Sequence, residues 1–246
     1  PTRTPSPSVT PPPTNTLPPT TTPPPTTTPL PTTTPLPTGT GVPTTPSPTI
    51  TPGGPTFTPQ PTATPCDPHF SDVQQSDYFY VPVRYLYCIG AISGYADGTF
   101  RPYSATTRSQ LVKMVVLARG FPLVRPATPT FSDVPASQPF YPYIETAAQH
   151  GIISGYADGT FQPYGSVTRG QTCKVVVVAA SWTLVTPATP TFSDVGPGNP
   201  YYTYVETAYR HNIIVGYSDG TFRWGNDATR GQLSKVVVLS VTLPPQ

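Results

Sequence analysis

Residues 155–161 read Gly-Tyr-Ala-Asp-Gly-Thr-Phe, and the same stretch stands at Gly94-Tyr95-Ala96-Asp97-Gly98-Thr99-Phe100 and, with one change, at Gly216-Tyr217-Ser218-Asp219-Gly220-Thr221-Phe222. The step between copies is 61 residues both times. Working outward, Phe70-Ser71-Asp72-Val73 recurs as Phe131–Val134 and Phe192–Val195, and Thr107-Arg108-Ser109-Gln110 recurs as Thr168–Gln171 and Thr229–Gln232. Even the joints repeat, Pro65 matching Pro126 and Pro187. A fixed period of this length is the mark of a repeat architecture.

Each copy reads as helix, turn, helix. In the second, Phe140, Tyr143, Ile144, Ala147 and Ala148 fall at i, i+3, i+4, i+7 and i+8, one apolar helical face. Pro139 suits the first helical turn, and Gly151 ends the helix. Asp158-Gly159 marks a turn, since glycine takes positive φ without steric cost. Its flanks pair as a tight hairpin or close as a compact loop. Thr-x-x-Gln then opens the second helix as a capping box. The run Val175–Ala180 behind it opens with four β-branched valines, so that helix depends on burial. Neither helix hides its apolar face alone, which argues for three copies stacked in one interdependent, mainly α unit.

Composition breaks at about residue 66. Residues 1–65 are almost wholly Pro and Thr, with Arg3 as the single charge. Too little apolar surface is present there to offset ordering entropy. An extended polyproline-II-like stalk, reaching on the order of 200 Å, is the expectation. Thr clusters on such a rod, Thr26, Thr27, Thr28, Thr32, Thr33 and Thr34, point to O-glycosylation. The divisions expected are a stalk over 1–65 and modules over 66–125, 126–186 and 187–246. The sequence opens inside low complexity at Pro1, which reads as a processed or incomplete chain.

Several function classes find no footing. A net charge of +2 without a basic run gives no footprint for nucleic acid, and no apolar stretch approaches the ~20 residues of a membrane span. His69, His150 and His211 form no catalytic order with Ser and Asp, and no zinc-protease or phosphate-loop motif occurs. No enzyme, metal or cofactor is expected. Cys66, Cys88 and Cys173 lack zinc spacing. A Cys66–Cys88 disulfide with Cys173 buried and free stands beside three unpaired thiols as the alternative.

Arg108, Arg169 and Arg230 carry most weight. Each occupies a first helical position, where the macrodipole disfavours a cation. One reading is an anion pocket, in which helix amides and guanidinium take a carboxylate or phosphate. The other pairs each Arg with Asp72, Asp133 or Asp194. Gln110, Gln171 and Gln232 read as caps, and Lys113, Lys174 and Lys235 as solvated edges of such a pocket. Tyr95, Tyr156 and Tyr217 can offer a ring face to a sugar. Trp224-Gly225 replaces the Tyr103 and Tyr164 of the earlier copies, so the third groove is expected to differ.

Taken together, Phe-Ser-Asp-Val, Gly-Ile-Ile-x-Gly-Tyr-x-Asp-Gly-Thr-Phe-x-Pro and Thr-Arg-x-Gln resemble the S-layer homology module, over residues 70–243. The resemblance implies three modules in a pseudo-threefold, three-pronged unit around a central helix bundle. It also implies an extracellular protein of the cell wall or S-layer, bound to secondary cell-wall polysaccharide or a peptidoglycan-linked glycan in grooves between modules. By the match, Arg108, Arg169 and Arg230 take the position of the carbohydrate-contacting Arg, and Gly94, Gly155 and Gly216 line the grooves. The family's usual Thr-Arg-Ala-Glu is here Thr-Arg-Ser-Gln or Thr-Arg-Gly-Gln, which keeps the cap and removes a carboxylate. Two roles are open at this point: a glycan-binding anchor, or a self-polymerising subunit of a layer, sheath or filament, which the bare stalk-plus-repeats organisation favours.

Overall fold

A computed structural model describes residues 66–242. The Thr26–Thr28 and Thr32–Thr34 clusters lie outside these residues. Six helices follow in order: α1 (Tyr80–Cys88), α2 (Arg108–Ala118), α3 (Tyr141–Gln149), α4 (Arg169–Ala179), α5 (Tyr202–Arg210) and α6 (Arg230–Thr242). Each module contributes a short first helix and a longer second one. The described residues form no strand longer than an isolated bridge.

The second helices, α2, α4 and α6, meet one another at the centre. Their sequences explain the placement. Val175, Val176 and Val177 of α4 are all buried, as are Leu111, Val112, Met114, Val115 and Val116 of α2. Helices apolar on more than one side must be enclosed on more than one side. Each first helix packs on the second helix of the module before it: α3 on α2, α5 on α4, and α1 back on α6. The three prongs are therefore shared between modules, and the ring closes.

Backbone bonds mark the pseudo-threefold axis. Thr106 N donates to Ala228 O (3.1 Å), Ala228 N to Val167 O (2.9 Å) and Val167 N to Thr106 O (2.9 Å). These residues are repeat-equivalent, so three modules close one cycle. Thr107 and Thr168 cap α2 and α4 in complete capping boxes with Gln110 and Gln171.

Pro139 is not in the first helical turn. Helix α3 begins at Tyr141 behind Phe140, and the proline in its first turn is Pro142. Pro135 O accepts from Gln138 N instead, and that preceding turn carries Pro139 outside the helix. Ile144 and Ala147 are buried as expected, with Phe140, Tyr143 and Ala148 packed at the margin. Gly151 at φ 66° stops α3 with its amide on Ala148 O, and Asn212 at φ 57° does the same for α5.

The joints strap these helices in place. Val124 N donates to Thr146 Oγ1 (3.0 Å), and the Tyr141 hydroxyl donates to Pro126 O (2.6 Å). Thr130 gives its amide and hydroxyl to the buried carboxylate of Glu145, and Thr191 does likewise to Glu206. Module 1 departs: Arg84 replaces the Glu and sits 2.9 Å from Asp67. There the chain is held covalently as well, since Cys66 and Cys88 form a disulfide with Cα atoms 5.6 Å apart. Cys173 is free and buried, its thiol pushed up to about 12 by desolvation.

Closing a loop across 22 residues is worth about 3 kcal/mol through the entropy of the unfolded chain. Reducing agent is expected to lower the urea midpoint correspondingly, and Cys88→Ser to reproduce the effect without reductant. With Cys173 already reduced and enclosed, a shift belongs to the Cys66–Cys88 bond. Equal midpoints in both redox states would show that α1 is held without it.

Candidate functional site

The loop of each module is shaped by an aspartate. Asp133 accepts from Phe161 N (2.7 Å) and Gln162 N (2.8 Å), and Asp72 and Asp194 do the same in their modules. The second amide belongs to a left-handed residue each time: Arg101 (φ 59°), Gln162 (φ 56°) and Arg223 (φ 56°). A left-handed non-glycine persists where its surroundings hold it, and here the carboxylate does. The Gly-Tyr and Thr-Phe flanks form a compact loop, Tyr156 N bonding Thr160 O. Gly155 is required by packing: a Cβ there would lie 2.7 Å from the Phe131 ring and from Thr160 O. Gly94 and Gly216 meet Phe70 and Phe192 in the same way.

The arginines do not pair with these aspartates, whose oxygens are engaged by the loop amides. Each Arg instead crosses into the loop of the next module. Arg108 donates from Nε to Phe161 O (2.9 Å), Arg169 to Phe222 O (2.8 Å), and Arg230, round the ring, to Phe100 O (2.8 Å). The guanidinium lies over the loop aromatics: Arg108 is 5.0 Å from the Tyr156 ring and 4.6 Å from Phe161. Arg169 lies similarly over Tyr217 and Phe222, and Arg230 over Tyr95 and Phe100. Burial lowers the pKa of Arg108 and of Arg230, opposed by Tyr156 and Tyr95 respectively, yet a guanidinium stays charged in a protein.

The helix amides expected to complete an anion pocket are spent. Arg108 N bonds Gly165 O and Ser109 N bonds Pro163 O; the first two amides of α4 and α6 are taken in the same way, by Asn226 and Trp224 and by Ser104 and Pro102. The third amide goes to the Thr cap. What remains for a ligand is side chains.

Three observations set the groove between modules 1 and 2 apart. It encloses a cavity of about 130 Å³ lined by Arg108, Ser154, Tyr156, Gln171, Lys174 and Tyr201, among others, and by no carboxylate. The equivalent space beside Arg169 is about 20 Å³. Secondly, the Arg108 guanidinium makes its Nε bond and no other hydrogen bond to the described residues, whereas Arg169 Nη2 is held by Val215 O (3.2 Å) and Arg230 Nη2 by Ser93 O (2.9 Å). Thirdly, Arg101 covers Tyr95 at 3.9 Å and pairs with Asp97, and Arg223 covers Tyr217 at 4.0 Å and pairs with Asp219. Module 2 has Gln162 at that position. Trp224, expected to alter a third groove, packs its ring on Tyr201, 5.8 Å between centroids. Tyr201 in turn lines the first groove.

Comparison with known proteins agrees with this repeat architecture. The family model described as S-layer homology domain matches residues 69–112, 130–173 and 191–234. This chain belongs to the S-layer homology family. Among curated relatives, an endoglucanase of Bacillus sp. (strain KSM-635) is 27% identical over 68% of the chain and 18% of its own length. The middle cell wall protein of Brevibacillus brevis is 25% identical over 63% of the chain and 14% of the relative. The cellulosome-anchoring protein of Acetivibrio thermocellus is 27% identical over 56% of the chain and 31% of the relative. The chain thus spans less than a third of any of these relatives. Family and relatives mark an extracellular, cell-wall-associated protein. No helix among the described residues is long and apolar enough to cross a membrane.

Proposed function

We propose that this S-layer homology unit is a non-catalytic anchor that binds an acidic cell-wall polysaccharide in the grooves between its modules, with the Pro/Thr-rich segment as spacer. The observation that carries the reading is the Arg108 cleft: two cations, Arg108 and Lys174, with tyrosine rings and no acid among its lining. A planar guanidinium fork suits a carboxylate or phosphate oxygen pair, and tyrosine offers a sugar both a ring face and a hydroxyl. One relative is named an anchoring protein and others surface-layer or cell-wall proteins, which supports attachment over catalysis. For the self-polymerising alternative, no comparable feature speaks.

The full chain is expected to co-sediment with purified Gram-positive sacculi that retain their wall polysaccharide, and to remain in solution when that polysaccharide has been stripped. Arg108→Lys should weaken co-sedimentation about tenfold or more, because an ammonium cannot reproduce a two-pronged contact. Equal sedimentation with stripped and unstripped sacculi would end the glycan reading. Polymers of the purified protein in electron micrographs, with no wall binding, would establish the alternative.

A further inference from the structure

We propose that residue 162 decides which groove is open: Gln162 leaves the cleft between modules 1 and 2 as the one that takes an anionic sugar substituent, while Arg101 and Arg223 fill the corresponding space in the other two from within. This rests on the glycan-anchor reading and goes beyond it, by assigning one working site to three repeats that share the same motif.

From the loop glycine to the residue after the phenylalanine, the copies differ at this position and at Ala96, Ala157 and Ser218. All three hold the residue after the loop phenylalanine in the left-handed region, with its amide on the module's own aspartate. In modules 1 and 3 that conformation carries an Arg side chain back across the loop. Its Nη2 reaches Asp97 or Asp219 at 2.9 Å and its guanidinium lies about 4 Å from the Tyr95 or Tyr217 ring. Each such tyrosine then has two guanidinium neighbours, Tyr95 having Arg101 and Arg230, Tyr217 having Arg223 and Arg169. Module 2 lacks the first of these. Tyr156 keeps Arg108 as its cationic neighbour, and Asp158 accepts from Thr160 without a basic partner among the described residues.

The same groove is distinguished by its other walls. The repeat-equivalents of Tyr201, a hydroxyl-bearing residue bordering the first cleft, are Phe79 and Phe140. Arg108 has its two terminal nitrogens without protein partners among the described residues, while Val215 and Ser93 carbonyls each hold one terminal nitrogen, Nη2, of Arg169 and Arg230. An anionic group entering the first cleft meets the two terminal nitrogens of Arg108, with Lys174 also lining the cleft. Entering either of the others, it would have to displace an arginine from an aspartate and a ring, and a carbonyl from the groove's own arginine. Carboxylate and phosphate share this recognition chemistry.

The backbone needed for a decisive exchange already exists. Gln162→Arg places an arginine where Arg101 and Arg223 sit, with Asp158 and Tyr156 ready to receive it. Arg223→Gln makes the reverse change in module 3. Binding of the full-length variants to unstripped Acetivibrio thermocellus sacculi would be measured alongside their melting temperatures. Gln162→Arg is expected to bind about tenfold more weakly or worse, with melting temperature unchanged or raised, and Arg223→Gln is expected to bind at least as well as wild type. Amidating the sacculus carboxylates with carbodiimide, or cleaving its phosphodiesters with hydrofluoric acid, tells which anion is recognised. Gln162→Arg binding as wild type would overturn the gatekeeper role while leaving the anchor reading intact. Wild type failing to bind unstripped sacculi would overturn both.

Discussion

A chain ending at residue 186 is expected to lose cooperative unfolding altogether. The deletion removes α5 and α6, and with them the partners of α4 and α1. Phe79, Val83 and Leu86 on module 1, all buried in the whole protein, would face water. The Phe79 ring rests against Gly231, where even a methyl would come within 2.8 Å. Exposing a side chain of this size costs about 1.5–3 kcal/mol, and the central faces of α2 and α4 would be bared as well. The backbone cycle at Thr106, Val167 and Ala228 is opened at two of its three bonds. The three side chains alone come to about 5–9 kcal/mol, comparable with the about 5–15 kcal/mol of stability typical for a domain. Urea unfolding followed by circular dichroism should show a broad, shallow transition in place of a sharp one. A truncated chain with an unchanged midpoint would show that the modules fold independently.

What the sequence made legible is what is encoded within one repeat. The capping boxes, the Gly151 stop and the loop turn rest on contacts a few residues apart, so motif and structure coincide. Stacking of the copies was implied by helices that cannot hide their faces alone, and the threefold arrangement by the family resemblance, but neither said which helix covers which. Arg108 reaches Phe161 across 53 residues and Arg230 reaches Phe100 across 130, and no periodicity within a repeat announces a bond to the next. The expectation that Arg pairs with Asp failed for a local reason. A left-handed residue follows each loop phenylalanine, and both carboxylate oxygens are used to hold that turn. Gln162 against Arg101 and Arg223 was visible in the aligned copies, yet its meaning needed the side chains across the groove. Trp224 stands out in the aligned copies, but only the structure shows its ring against Tyr201, which lines the cleft between the other two modules.

The three arginines are expected to rank in opposite orders for stability and for binding. Arg230 is buried and makes two short hydrogen bonds, to Phe100 O and Ser93 O, and it ties the last module to the first. A hydrogen bond from a charged donor contributes about 1.5–3 kcal/mol, and removing it strands a buried carbonyl. Arg230→Leu should therefore cost about 3–5 kcal/mol, close to the whole margin of a weak domain. Arg169 makes one short bond and one of 3.2 Å, so Arg169→Leu should cost about 2–3 kcal/mol. Arg108, with its single bond to Phe161 O, should cost least, about 1–2 kcal/mol. Sedimentation with wall sacculi should reverse the order among the variants that remain folded. Arg108→Leu is expected to abolish it and Arg169→Leu to leave it intact, since Arg223 already covers the Tyr217 ring at 4.0 Å. Melting curves and sedimentation on the same preparations read both scales. Equal stability losses with equal binding losses at all three positions would mean that the grooves are equivalent, and that the difference at residue 162 has no bearing on what this protein holds.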